Sequence, residues 1–346
     1  METIQIDGSY GEGGGSIVRV ASALSCITSK PIRVYNIRKG RPQPGLKTQH
    51  LQGIKALAEL CDAKLTGAEK GSQDIEFYPG KIDKGRVDVE IATAGSTGLV
   101  FQTLCIPASR SDKQTKIYIN GGATFGKYAP PLIYTQKVLL PILKQIGFKS
   151  EINITKHGFF PVGGSQVNII TQPAKEFNPI NLTDQGEIEI IEGVSIASSD
   201  LRKPKVAERQ AQEAQELLRN YKTEIKTAYS DAKCSGSGLV LLAKTSTGCI
   251  LGADALGERG KKAENVAEEA AISLRHVIKS GAAVDQYLGD QLLIFMALAK
   301  GKSEIIVPVL TGHIRTNIWV IQKFLDVEFE MAKKPPYKIT CSGSKE

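Results

Sequence analysis

Three times along the chain a short strand pattern runs into a turn of small residues and from there straight into an apolar helix. The first copy sets a strand at Thr3 to Asp7, a glycine-rich turn over Gly8 to Gly15, and a helix whose apolar positions Ile17, Val20, Ala21, Leu24 and Ile27 fall mostly three and four residues apart. Ile32 to Ile37 then alternates as a strand, and Leu51, Ile54, Leu57 and Leu60 mark a second helix. Strands at Asp74 to Tyr78 and Val87 to Ile91 are expected to close that unit. In the second copy Thr93 to Gly98 leads into a helix through Pro107, followed by a strand at Lys116 to Asn120, a helix over Leu132 to Ile146, and strands at Glu151 to Thr155 and Gln166 to Thr171. The third copy is a strand at Ile305 to Val307, a turn at Thr311 and Gly312, and a helix from Ile314 to Leu325. Such an order predicts an α+β fold, an α/β sandwich built as a threefold internal repeat, and excludes a helical bundle.

From about Gly186 to Ser280 the texture changes. An acidic, glutamine-rich helix at Val206 to Asn220, strands at Gly238 to Lys244 and Cys249 to Gly252, and a helix at Lys261 to Ile278 form a self-contained series. The flanking segments need each other to complete the third repeat, which predicts a large domain of residues 1–184 plus 281–346 and a small α/β domain inserted at 185–280. With 346 residues and a 41% hydrophobic fraction the chain can fill two cores. Its longest apolar stretch, Leu292 to Ala299, is far too short to span a bilayer, so no membrane partner is expected. Met1 to Gln5 lacks the basic opening and apolar core of a secretory signal, which predicts a cytoplasmic location. The six cysteines contain no Cys-x-x-Cys pair and are expected to be buried thiols.

Charge is unevenly placed. Between Glu12 and Glu59 there is no acid, yet the window holds Arg19, Lys30, Arg33, Arg38, Lys39, Arg41, Lys47 and Lys55, eight positive charges that equal the formal net charge of +8. A concentration of that kind attracts an anion, with phosphate the usual candidate. The window opens at the loop Gly11-Glu12-Gly13-Gly14-Gly15-Ser16, which sets backbone amides and no bulky side chains at a helix start, a ready anion site. Glu12 could there hold a divalent cation, and Arg19 lies about one turn into the helix, within reach of the same phosphate.

Gly121 to Lys127 nearly spells a phosphate-binding Walker loop, but Tyr128 stands where a magnesium-ligating Ser or Thr belongs, so that reading is rejected. Pro130 and Pro131 read as a helix start. Of the four histidines, His50, His157, His276 and His313, none pair at metal-ligand spacing. His276 is expected to be structural within its helix. His313 differs, since Thr311-Gly312-His313-Ile314-Arg315 sets an imidazole at a helix N-terminus, where the dipole lowers its pKa and keeps the ring neutral and nucleophilic.

Together these segments resemble the RNA 3′-terminal phosphate cyclase family nearly end to end. The marks are Glu12-Gly13-Gly14-Gly15 with Arg19, Asn36-Ile37-Arg38 with Gly40-Arg41, Pro44-Gly45-Leu46, Gln49-His50-Leu51, Thr93-Ala94-Gly95-Ser96 with Gln102, Pro130-Pro131, the stretch from Gly281 to Leu292, and the Gly312-His313 turn. One signature departs: His157 to Gly164 ends in Ser165 where the family usually has a third glycine. The resemblance implies a large domain of three βαβαββ-like repeats, similar to the C-terminal domain of the third bacterial translation initiation factor, with a small inserted α/β domain.

It also implies an activity: ATP-dependent conversion of an RNA 3′-phosphate to a 2′,3′-cyclic phosphate through a covalent histidyl-AMP and an RNA-adenylate. By the same resemblance His313 is the nucleophile, Glu12 holds Mg²⁺ or Mn²⁺, and Arg19, Arg38 and Arg41 grip ATP or RNA phosphates with Gln49 and His50 extending that wall. Gln102, Pro131 and Tyr287 frame the adenine, and Asp290 orients the nucleotide or the histidine. The implied partners are ATP and RNA 3′-phosphate ends, with the oligomeric state open and a homodimer one alternative. Two rival readings stand beside it: a cyclase-like ribosome-assembly protein, in which the histidine is missing, and an enolpyruvyl transferase, which generally runs longer and needs no such insert.

Overall fold

A computed structural model describes residues 2–344, and within them the recurring pattern resolves into four-stranded sheets of one common plan. In the first repeat β1 (Ile4–Asp7), α1 (Ser16–Thr28), β2 (Ile32–Tyr35), α2 (Thr48–Leu60), β3 (Lys64–Thr66) and β4 (Ile75–Tyr78) give the strand order β1-β2-β4-β3. The second comprises β5 (Arg86–Ser96), α3 (Thr97–Ser109), β6 (Thr115–Ala123), α4 (Leu132–Tyr134), a π turn (Thr135–Leu139), α5 (Leu140–Gln145), β7 (Ser150–Lys156) and β8 (Gln166–Thr171), ordered β5-β6-β8-β7. The third opens with β9 (Asn181–Leu182). It is interrupted by β10 (Ile188–Ser198), α6 (Val206–Leu217), β11 (Thr223–Ser230), β12 (Ser237–Thr245), β13 (Ile250–Leu256) and α7 (Ala263–Ser280). It resumes with α8 (Gln286–Leu298), β14 (Ser303–Val307), α9 (Gly312–Ile321), β15 (Phe329–Met331) and β16 (Tyr337–Cys341), giving the order β9-β14-β16-β15. In each repeat the first two strands are parallel and the last two antiparallel. A helical crossover returns the chain to the same end of the sheet, which is what a parallel pair requires.

Three expectations are corrected. The strand at Val87 to Ile91 was expected to close the first unit, but β5 pairs with β6 and opens the second. Its alternation, with Val87, Val89 and Ile91 buried and Asp88 and Glu90 exposed, fixes which face is wet and not which strand lies alongside. The strand at Ile305 to Val307 is β14, the second strand of its repeat; the counterpart of β1 is β9, separated from its helix α8 by β10 to α7. The helix expected over Leu132 to Ile146 is helical from Leu132 to Gln145, and the correction is only to its winding: it contains the π turn, which ends two residues before Pro141, a residue with no N–H to donate to the preceding turn.

Sheet faces and helices α1, α2, α3, α8 and α9 share one apolar core, while β10 to α7 close a sheet of order β11-β10-β12-β13 over a second. Strand β12 belongs to both: Val240 and Leu242 enter the first core, Leu239, Leu241 and Ala243 the second. Burial on both faces is why its sequence reads as a continuous apolar run. His276, read as structural, is exposed on α7. Five cysteines are buried thiols and Cys234 is half-buried. No helix among the described residues is long and apolar enough to cross a membrane.

Where β13 meets the large core, Gly252 lies against the ring of Tyr134. A Cβ at Gly252 would stand 2.3 Å from Tyr134 Cε2. The Gly252 N–H donates to Asp285 Oδ2 at 2.8 Å, and the Tyr134 hydroxyl donates to Asp285 Oδ1 at 2.7 Å. Gly252→Ala is therefore expected to cost about 1–3 kcal/mol of stability through overpacking, read as a lowered chemical-denaturation midpoint; an unchanged midpoint would show this seam to be compliant.

Candidate active site

The glycine-rich loop before α1 and the turn before α9 bring residues some 300 positions apart into contact. Gly11 adopts φ +55° and a Cβ there would stand 2.6 Å from Thr316 Oγ1, so the loop can lie against α9 only with glycine at this position. The Glu12 N–H donates to that hydroxyl at 3.2 Å. Helix α9 begins cleanly because Thr311 caps it, its hydroxyl accepting from the Ile314 N–H at 3.0 Å. The cap fixes the direction in which His313 leaves the helix.

His313 Nδ1 lies 2.9 Å from Glu12 Oε2. The other carboxylate oxygen, Oε1, accepts from Arg41 Nη2 at 2.6 Å, and the same nitrogen reaches the Glu12 carbonyl at 3.0 Å. Burial pulls the His313 pKa below its ordinary value; Glu12 opposes the shift, and Arg19 and Arg41 reinforce it. The ring is thus neutral at pH 7. Because an ionised carboxylate only accepts, the single ring proton sits on Nδ1 and the Nε2 lone pair is free, in a side chain that remains 40% exposed.

On the other side of the loop stands His50, buried on α2. A Cβ on Gly15 would fall 2.1 Å from its Nε2, so glycine at that position makes room for the ring. Burial, with Arg19, Arg38 and Lys47 adding to it, holds the His50 pKa down to about 3. Its Nδ1 accepts from the Lys47 N–H at 3.3 Å, which leaves Nε2–H as a donor directed at the glycine loop. Arg19 reaches the same region from α1. Burial lowers its pKa to about 10, against the opposing charges of Asp290 and Glu12, so it stays a cation.

Asp290, on α8, is raised to about 8 by burial, with Asp285 and Glu12 adding to the shift and Arg19 opposing it. Its Oδ1 has no hydrogen-bond partner, and neither have Ser16 Oγ and Asn317 Oδ1. The folded protein holds a proton on Asp290 that the unfolded chain releases above pH 3.8, so the burial cost grows as pH rises from there toward about 8. Asp290→Asn, neutral at every pH, should therefore be stabilising relative to the native chain by an amount that rises by up to about 1.4 kcal/mol per pH unit through this window. Denaturant midpoints of both proteins at pH 5 and pH 8 check it; an equal difference at the two values would refute the buried-acid assignment.

Three expected site residues carry local duties too. Arg38, buried and at φ +53°, donates from Nη1 to the carbonyls of Gln43 at 2.7 Å and Gly45 at 2.8 Å, so part of its fork holds its own loop. Gln49 Oε1 accepts from the Ser96 N–H at 3.0 Å and ties α2 to the start of α3. Gln102 Nε2 donates to Gln291 Oε1 at 2.8 Å, and Gln291 Nε2 to the Tyr287 carbonyl at 2.9 Å, joining α3 to α8. Tyr287, 38% exposed, meets Tyr134 edge to face at 6.2 Å, and Pro131 stands at the N-terminus of the helix carrying Tyr134.

The structure thus gathers Glu12, Arg19, Arg41, His50, Asp290 and His313 around one loop, and places Gln102, Pro131 and Tyr287 on a neighbouring wall. Helix α8 links the two groups, because Tyr287 and Asp290 are three residues apart on it.

Sequence reasoning gave no role to Thr316, Asn317, Gln291 or Asp285, although each lies in a segment it singled out, and it did not single out Tyr134. Only Asp285 carried a signal, an aspartate just before an apolar helix; its carboxylate caps α8 from the Tyr287 and Leu288 N–H groups at 2.9 and 3.0 Å. The departure at Ser165 is absorbed: its side chain is buried and its hydroxyl donates to the Gly121 carbonyl at 2.6 Å.

The fold and site together define a triple-repeat α+β protein in which a carboxylate-braced imidazole stands among buried and half-buried arginines, a setting suited to an anionic ligand. A profile of the RNA 3′-terminal phosphate cyclase family matches residues 10–331. Proteins named RNA 3′-terminal phosphate cyclase from Methanopyrus kandleri and Thermococcus kodakarensis are 41% and 44% identical to this chain, over 96% of it in both cases and over 96% and 95% of their own lengths. One from Pyrobaculum neutrophilum is 40% identical over 98% of both chains. The chain belongs to the RNA 3′-terminal phosphate cyclase family.

Proposed function

We propose that this protein is a cytoplasmic ATP-dependent RNA 3′-terminal phosphate cyclase. The observation that carries the reading is the contact of His313 Nδ1 with Glu12 at 2.9 Å, which leaves Nε2 unprotonated and accessible. Nε2 attacks the α-phosphorus of ATP; a P–N bond forms, the P–O bond to pyrophosphate breaks, and Glu12 balances the positive charge left on the ring. AMP then passes from His313 to the RNA 3′-phosphate. The neighbouring 2′-hydroxyl attacks that phosphorus, AMP departs, and a 2′,3′-cyclic phosphate remains.

Arg19 and Arg41 bind phosphate oxygens, and Arg38 does so with the donors its loop leaves free. His50, held neutral, donates from Nε2–H beside Gly15 without adding a charge. Gln49 extends that wall next to it. Gln102, Pro131 and Tyr287 frame the adenine. Asp290, with its unpartnered Oδ1, orients the nucleotide or His313.

Among the described residues no cluster of three or more His, Cys, Asp or Glu could enclose a metal. That suits Mg²⁺ or Mn²⁺ bound by one carboxylate and substrate phosphates. Glu12 is that carboxylate, sharing lone pairs with its Arg41 and His313 contacts, and a cation there would supply charge neutralisation at the phosphates.

The test is to incubate the protein with ATP labelled at the α-phosphate and Mg²⁺ or Mn²⁺, denature it, and ask whether label stays on the polypeptide in an acid-labile, alkali-stable form. Absence of label with folded protein would overturn the reading and return the chain to a binding role.

A further inference from the structure

Beside the candidate site two loops present aromatic rings to water. Tyr128, between β6 and α4, is 96% exposed and held at φ +64°. Phe160, between β7 and β8, is 47% exposed, and Val162 two residues on is 46% exposed. Single exposed apolar side chains are ordinary. These form a group, because the Phe160 N–H donates to the Phe125 carbonyl at 3.3 Å and Lys127 Nζ stands 4.9 Å over the Phe160 ring. Among the described residues Tyr128 also lacks the side-chain partner that the other exposed tyrosines have: Tyr10 stacks on Trp319, Tyr78 donates to Glu76, and Tyr287 meets Tyr134.

The mount is rigid. Thr124 Oγ1 and His157 Nδ1 lie 2.9 Å apart, the Thr124 and Phe125 N–H groups both donate to the Gly158 carbonyl, and Phe125 stacks on Phe159 at 5.7 Å. Tyr128 is held in a left-handed conformation that bulky residues rarely adopt, yet it makes no ring contact among the described residues.

The ridge also continues the candidate site. Gln49, next to His50, holds the Ser96 N–H, and Gly126 lies beside Ser96, where a Cβ would make an ordinary contact with the Ser96 Cα at 3.6 Å. Two lysines supply charge. Lys127 is shared with Glu258 at 3.1 Å, whereas exposed Lys233, whose stem packs on Gly164, has no acidic partner among the described residues.

We infer that Tyr128 and Phe160, flanked by Lys127 and Lys233, form a stacking platform for the single-stranded RNA nucleotides just 5′ of the terminal one. The inference rests on the reading of the site as one for RNA 3′-phosphate ends. Exposed rings accept any base face, and neighbouring lysines meet the phosphates between bases. This gives the Gly-Gly-Ala-Thr-Phe-Gly-Lys-Tyr segment, rejected as an ATP loop, a use that depends on its tyrosine.

The experiment compares binding of a 3′-phosphorylated single-stranded octaribonucleotide and a nucleoside 3′-phosphate, which has no nucleotide 5′ of the terminal one, by fluorescence anisotropy and competition. The native chain is expected to prefer the octamer. The double variant Tyr128→Ala/Phe160→Ala should weaken octamer binding about tenfold or more and lose that length preference, while Tyr128→Trp keeps it. The fold-loss should be the same at low and moderate salt, since stacking releases no counterions. Octamer binding unaltered in the double variant, or an equal loss for both lengths, overturns the platform. Native protein that binds both lengths equally overturns the platform alone, and native protein that binds neither overturns the reading of the site as well.

Discussion

His313→Ala will retain no α-phosphate label from ATP and will convert a 3′-phosphorylated RNA at least about a thousandfold more slowly than the native chain. The size follows from the proposed role: removing a covalent nucleophile would delete the first bond made, leaving binding without chemistry. The fold should tolerate the change. His313 is 40% exposed, and α9 keeps its cap because Thr311, not His313, accepts the Ile314 N–H. Thermal midpoints of the two proteins should agree within a few degrees or so. Label persisting on the folded variant would mean that another side chain is the nucleophile.

How much of this was legible beforehand depended on distance along the chain. Helix α1 and the loop before it were readable because periodicity and glycine spacing are local signals, and so was the basic window from Arg19 to Lys55. Strand partners were not. The alternation of β5 fits a first or a second sheet equally well, and only its register with β6 decides. Strands β9 and β15, of two and three residues, are too short for any period to show. The same limit governed the site. Arg19 and Glu12 lie on one local segment, so their nearness could be read from the sequence. The Glu12 to His313 contact joins residues near opposite ends of the chain and was not read beforehand: the family resemblance assigned Glu12 to a cation and His313 to attack, and did not pair them. Thr316, which fixes the Glu12 backbone, carried no sequence signal.

That contact yields the second large effect. Glu12→Gln keeps the volume and a carbonyl oxygen able to accept from His313 Nδ1, but its NH₂ can occupy the same position and then favours the proton on Nε2, the wrong tautomer for attack. It also removes the charge that balances the ring once Nε2 has bonded to phosphorus, and it frees Arg41, now 2.6 Å from the carboxylate, to repel that positive ring. Label formation should fall about a hundredfold or more, by analogy with other carboxylate-oriented histidines.

A merely structural role for Glu12 would lower the rate equally at every pH. The electrostatics predict otherwise. In the native chain Glu12 opposes the downward pull of burial, Arg19 and Arg41 on the His313 pKa. Without it the imidazole is harder to protonate, so the acid limb of the residual rate should move to lower pH. Single-turnover labelling across pH 5 to 8 reads both quantities at once. A reduced rate with an unmoved acid limb would show that Glu12 acts on bound ligands and not on His313.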